Sequence, residues 1–205
     1  YCKMNIKIFK TPKQVSDELS SYIISNYILS RKNIAISGGS TPIMLFEEIS
    51  KKLKKKKKIE SNFYWIDERC VLPDSKESNF KTANDYLFKK IKIDKKNIYR
   101  IKGENNPDDE QRRYTKLLEN NLESINKLPS IDLSVLGIGN DGPTASIFPY
   151  QMKKFIDYNS CFVGTHPVSK QKRISLSQNI INNSSEIIFH VTGKNKSDVV
   201  DKIIN

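Results

Sequence analysis

The chain has 205 residues, enough for one domain with a sizeable core and short for two, and 37% of them are hydrophobic against 28% charged. No stretch approaches the roughly 20 apolar residues of a membrane span, and the opening YCKMNIKIFK has neither the apolar core nor the cleavage site of a secretory signal. The net charge of +12 raises nucleic acid as a partner, but only six of the 35 basic residues are arginine, the side chain suited to bidentate reading of phosphates and bases.

In chain order, residues 13–31 place Val15, Leu19, Tyr22, Ile23, Tyr27 and Ile28 at helical spacing. NIAIS (33–37) reads as a strand that ends in Gly38-Gly39-Ser40-Thr41-Pro42, and IMLFEEISKKL continues as a helix with Pro42 in its first turn. The run KKLKKKKK (51–58) reads as a solvated surface segment, and the general excess of Lys, Asn and Ile as the imprint of AT-rich codon choice. NFYWID (62–67) predicts a second strand, running into Glu68-Arg69; 78–91 and 108–126 predict helices. IDLSVLGIG (131–139) has the near-continuous apolar character of a buried parallel strand. EIIFHVT (186–192) is a further strand, with a helix starting near Ser197, and 150–173 is expected to be irregular. Alternating strands and helices predict an α/β fold: one domain over 1–205, Rossmann-like, with a mainly parallel sheet and helices on both faces.

Polar motifs follow four of the predicted strands, where open α/β sheets bind ligands. SGGSTP (37–42) offers two glycines, two hydroxyls and a helix N-terminus, an anion or sugar-oxygen cradle and equally the makings of a plain tight turn. It is neither a dinucleotide GxGxxG nor a P-loop. DERCV (67–71), with Ser78-Asn79 downstream, sets a carboxylate beside a guanidinium; a surface ion pair is its bland equivalent. LGIGNDGPTASIFP (136–149) is long and glycine-studded, and carries Asp141, Thr144 and Ser146. GKNK (193–196) puts Lys196 at a helix start, a phosphate-seeking point charge in a chain rich in lysine. Cys2, Cys70 and Cys161 are too far apart for a disulfide framework or a metal knuckle, so a reducing, cytoplasmic setting is expected and no metal is.

Taken in this order, SGGSTP, DER with a later SN, LGxGxDGxTASIFP, RISL (173–176) and GxxK resemble the 6-phosphogluconolactonase family over nearly the whole chain. The related glucosamine-6-phosphate deaminases share the fold, but Arg69 after Asp67-Glu68 and TASIFP after the DG look like the lactonase side. The resemblance implies hydrolysis of 6-phospho-D-glucono-1,5-lactone in the oxidative pentose phosphate pathway, with no cofactor, nucleic acid or membrane involved. It implies that Gly38, Gly39, Ser40 and Thr41 line the sugar site and that Arg69 and Lys196 hold the 6-phosphate. Asp67, Asn140, Asp141, Gly142 and Thr144 would shape the reacting end, with Arg173 near the rim. Some members are fused to glucose-6-phosphate dehydrogenase, and a start at Tyr1 rather than Met fits a domain of a longer chain; fusion or association with that enzyme is therefore expected.

One residue departs from the family. Its loop usually reads DGHTAS, the histidine acting as general base, and here Pro143 occupies that position. Proline cannot take a proton, so a base must come from elsewhere or catalysis is impaired. Asp141, adjacent to the reacting end, and His166, in GTHPVSK, are the replacements on offer; His190, in a strand-like run, reads as a core residue. The alternative to the enzyme is a phosphosugar-binding relative lacking its base, and a third reading is a basic nucleic-acid binder with steep salt dependence.

Overall fold

The computed structural model describes residues 4–53, 58–139, 142–148, 150 and 160–204. Helix α1 (Pro12–Ile23) starts at Thr11, whose side chain accepts the Gln14 N–H, and a π-helical turn, Ile24–Ile28, extends it. β1 (Asn33–Ile36) leads through SGGSTP into α2 (Pro42–Leu53). Next come β2 (Asn62–Trp65), β3 (Asp67–Arg69), α3 (Asn79–Tyr86), the short β4 (Ile98–Tyr99) and α4 (Pro107–Asn121). A small hairpin, β5 (Ser124–Ile125) and β6 (Leu128–Pro129), precedes β7 (Leu133–Leu136). After it follow β8 (Cys161–Thr165), β9 (Lys172–Leu176), α5 (Gln178–Asn182), β10 (Glu186–Phe189) and α6 (Ser197–Ile204).

Five strands form a parallel sheet in the order β10-β7-β1-β2-β4. This is the α/β arrangement the alternation of elements predicts. The order reverses between β1 and β7, so the loops leaving those two strands diverge and open a crevice at their carboxyl ends. Right-handed crossovers place α2 and α3 on one face and α4 and α5 on the other. In agreement, α1 and α3 pack on α2, while α4 and α5 meet β6. The strands are buried on both sides by Ile34, Ala35, Phe63, Tyr64, Trp65 and Leu133, which is why they read as continuous apolar runs.

Three expectations need correction. NFYWID is not one strand: β2 ends at Trp65, Ile66 still donates its N–H to Ile36 O, and Asp67–Arg69 then joins a separate antiparallel sheet, β3-β9-β8. The segment 150–173, expected to be irregular, contains β8 and the start of β9; small and basic residues there (Gly164, Lys172, Arg173) carry no alternation to betray them. The helix expected to run to 126 stops at Asn121, because Asn126 and Lys127 take left-handed φ values of 52° and 65° and turn the β5–β6 hairpin.

Tyr114 of α4 ties the helix to the sheet: its hydroxyl accepts the Trp65 N–H at 2.8 Å and lies 3.2 Å from the carbonyl oxygens of Trp65 and Tyr99. Replacing it by Phe strands a buried N–H at the end of β2. Tyr114→Phe is therefore expected to cost about 1–3 kcal/mol in urea unfolding, with the site's ligand affinity retained in the folded fraction.

Candidate active site

The site is built around a buried carboxylate. Glu68 of β3 is 2% exposed and accepts the backbone N–H groups of Arg69 (2.8 Å), Asn79 (2.7 Å) and Phe80 (2.7 Å) and the Ser78 hydroxyl (3.1 Å). It thereby satisfies the free donors that begin α3 and fixes that helix to β3. Burial pushes the Glu68 carboxyl above the ordinary carboxylate value, while these bonds pull the other way.

Its neighbour Asp67 faces the opposite direction and joins three of the motifs. One carboxylate oxygen accepts the Ser146 hydroxyl at 2.7 Å, the other the Asn79 side-chain amide at 3.2 Å, and that amide also donates to the Asp67 carbonyl at 2.8 Å. Asn79 in turn lies against Gly38, where a Cβ would stand 2.0 Å from the Asn79 Oδ1; only glycine fits. A continuous chain Gly38–Asn79–Asp67–Ser146 thus connects the turn after β1, the strand β3 and the loop after β7. Sequence reasoning gave Asp67 and Gly38 site roles; it noted Asn79 and Ser146 within their motifs but assigned them none.

The loop after β7 is closed by local bonds. The Thr144 hydroxyl donates to Gly137 O at 2.8 Å, and Gly139 N–H to Pro143 O at 2.6 Å. Ala145 holds a left-handed φ of 53°, an uncommon conformation for a residue with a side chain, and Gly142 one of 91°. A Cβ at Gly142 would lie 3.4 Å from Val199, so α6 approaches this loop. Asn140 and Asp141 lie outside the described residues.

Positive charge gathers at two places. Arg69 and Arg173 are directly opposite each other in the β3–β9 register, an arrangement that like charges disfavour. Arg69 Nη1 donates to Glu77 O at 2.5 Å, while the Nε atoms of both guanidiniums are buried and make no hydrogen bond. Burial and then Arg69 push the Arg173 guanidinium below its usual value. The Arg173 guanidinium stands 5.8 Å from the Phe148 ring centre, and His166 meets the same ring edge-on at 5.3 Å. The second place is a polar cleft of ≈ 390 Å³ lined by Ser40, Thr41, Thr192, Asn195 and Lys196, at the N-terminus of α2, where Gly39 takes φ 88°. The structure therefore brings Arg69 to Arg173, and Lys196 to Ser40 and Thr41.

Among the described residues no group of three or more His, Cys, Asp and Glu could hold a metal ion, and no helix is long and apolar enough to cross a membrane. The thiols of Cys70 and Cys161 are driven up by burial, to about 11 and about 12, so neither supplies a reactive thiolate.

The family model of glucosamine-6-phosphate isomerases/6-phosphogluconolactonase matches residues 11–205. The chain belongs to this family. It is 36% identical over 203 residues to the 6-phosphogluconolactonase of Haemophilus influenzae, covering 98% of this chain and 85% of that one. Among solved structures, the devB protein superposes with a TM-score of 0.91 at 36% identity, over 99% of this chain and 86% of the other. The 6-phosphogluconolactonase of Trypanosoma brucei superposes with a TM-score of 0.84 at 27% identity, over 98% and 87%. Family membership accounts for the co-occurrence of the SGGSTP, DER, TAS and GxxK motifs around one crevice.

His190, just past β10, is 3% exposed, and neither ring nitrogen makes a hydrogen bond. Burial lowers its pKa from 6.5 to about 4. The unfolded chain therefore binds the proton more readily, so the associated stability is complete above about pH 6.5 and is lost as pH falls toward about 4. On the order of 3 kcal/mol should disappear across that window. Urea titrations at pH 7 and pH 4.5 test this: His190→Leu should flatten the acid loss relative to the parent chain.

Proposed function

We propose that this protein hydrolyses 6-phospho-D-glucono-1,5-lactone to 6-phosphogluconate in the oxidative pentose phosphate pathway. The observation that carries the reading is the Arg69–Arg173 pair, two guanidinium side chains set opposite each other in the β3–β9 register and close enough for Arg69 to bear on Arg173, in a chain of this family. Such a pair is costly alone and favourable with a dianion between its members. In this reading Arg69 and Arg173 receive the 6-phosphate from one flank, and Lys196 supplies a third cation from the opposite flank, that of Ser40 and Thr41.

Hydrolysis requires a water to attack the lactone carbonyl, a base to take its proton, and donors for the oxyanion that forms as the ring ester opens. Backbone N–H groups at Gly38 and Gly39 are the donors in this proposal, since the Gly142 N–H is bonded to Gly139 O at 3.2 Å. Asp67, clamped by Ser146 and Asn79, holds the surrounding loops in place. With Pro143 where the family carries histidine, the proton goes to the carboxylate of Asp141. The chemistry needs no cofactor. The substrate is what oxidation of glucose 6-phosphate at C1 produces, so a glucose-6-phosphate dehydrogenase, fused or associated, is the partner this reading implies, in the cytoplasm.

Pro143 favours a second reading, a phosphosugar-binding relative that has lost most of its rate. Pro143→His decides between them. In an active parent the acid limb of the rate profile falls in the carboxylate range, near pH 4, and the variant adds a limb near pH 6.5. A parent at the spontaneous rate, with a variant faster by about 10² to 10⁴, establishes the second reading.

Arg69→Ala and Lys196→Ala should each weaken 6-phosphogluconate binding by about tenfold or more, read by calorimetry, while hydrolysis of unphosphorylated glucono-1,5-lactone stays as in the parent. Binding of 6-phosphogluconate that survives both substitutions would remove the proposed anchor.

A further inference from the structure

His166 opens the tight connection between β8 and β9. Its N–H donates to Gln171 O at 2.9 Å and its carbonyl accepts the Lys170 N–H at 3.0 Å, so the backbone of the connection is closed on itself. The ring is tied into the same turn: Nδ1 accepts the N–H groups of Val168 (3.3 Å) and Ser169 (3.2 Å). A nitrogen that accepts two N–H bonds uses its lone pair on them and carries no hydrogen. In the neutral ring the hydrogen is therefore on Nε2, at the edge turned away from the turn.

That edge is a donor and not an acceptor. The one basic nitrogen is occupied, which disqualifies the ring from taking a proton from water without breaking the turn. The surroundings act in the same direction. Arg173 of β9 and Arg69 of β3 are the charges that bear on it, and burial and these two cations depress its pKa below 6.5. Around the turn, Lys170 Nζ donates to Pro167 O, Gln171 Nε2 to the Glu77 carboxylate, and Tyr150 OH to Thr165 O. Phe148 packs edge-on against the ring and also carries Arg173 over its face, which sets the imidazole beside the arginine pair.

We infer that His166 is a neutral hydrogen-bond donor, locked in the Nε2–H form by its own turn, that binds the phosphate oxygens of the substrate alongside Arg69 and Arg173. It is a binding and specificity residue and not the base that replaces the histidine absent at 143. A neutral donor suits this position, because a third full cation beside two guanidiniums would add repulsion whenever the site is free. The inference rests on the phosphosugar reading above.

Two measurements on the full chain test it. Two-bond ¹H–¹⁵N spectra should show the Nε2–H form of His166 at pH 7; an Nδ1–H form overturns the inference. Binding of 6-phosphogluconate and of gluconate is then compared in the parent, His166→Ala and His166→Gln, the last keeping an N–H donor near the Nε2 position. His166→Ala should weaken 6-phosphogluconate about tenfold, gluconate little, and His166→Gln should recover most of the loss. In lactone hydrolysis the effect should fall on KM, with the acid limb of the profile unmoved. A collapse of kcat with a displaced limb makes His166 the base and overturns the inference, as does equal 6-phosphogluconate affinity in all three proteins. A parent that binds gluconate and 6-phosphogluconate alike, or neither, removes the phosphosugar reading itself and this inference with it.

Discussion

The buried carboxylate of Glu68 is the contact on which the site's geometry depends. By accepting three backbone N–H groups and a hydroxyl, it fixes the start of α3 to β3. That contact determines where Asn79 stands, and Asn79 in turn aligns Asp67 and forbids any side chain at position 38. Glu68 lies on the strand that leaves the parallel sheet to pair with β9, the pairing that brings Arg69 opposite Arg173. A carboxylate in a dry interior is expensive unless its lone pairs are used, and here three donors come from one helix start and a fourth from β3 itself.

The second sheet matters as much as the first. The parallel sheet supplies the crevice, through the reversal of strand order between β7 and β1. The antiparallel β3-β9-β8 sheet carries the arginine pair, since Arg69 and Arg173 both belong to it, and His166 opens its β8–β9 connection. Phe148, from the loop after β7, contacts both Arg173 and His166 and so links the two sheets at the rim. Strain in that loop, at Ala145, is tolerated because Ser146 and Thr144 are bonded on either side of it, to Asp67 and to Gly137.

Pro143 sits within this framework and takes part in its bonds. Its carbonyl accepts the Gly139 N–H, and just after it Thr144 donates to Gly137 O and Ser146 to Asp67. Proline brings no titratable group to that position. In the proposed reading, holding a phosphosugar is separate from activating a water. The first rests on residues of both sheets, the second on a single loop position.

Much of the architecture was legible in the chain. Strands buried on both faces, such as Asn33–Ile36 and Leu133–Leu136, announce themselves by composition, and the glycine-rich motifs that follow them mark the crevice, because local backbone demands select local residues. The motifs in their order also identified the family. The antiparallel sheet was not legible: Asp67–Arg69 is continuous with the apolar run before it, and Lys172–Arg173 carries no alternation, so neither reveals a partner more than a hundred residues away. The pairing of Arg69 with Arg173, the reach of Asn79 to Gly38 and the tautomer of His166 follow from register and from hydrogen bonds between distant or turned segments. These are decided only when the chain has folded, because long-range pairing and the direction of a lone pair leave no periodic trace in a sequence.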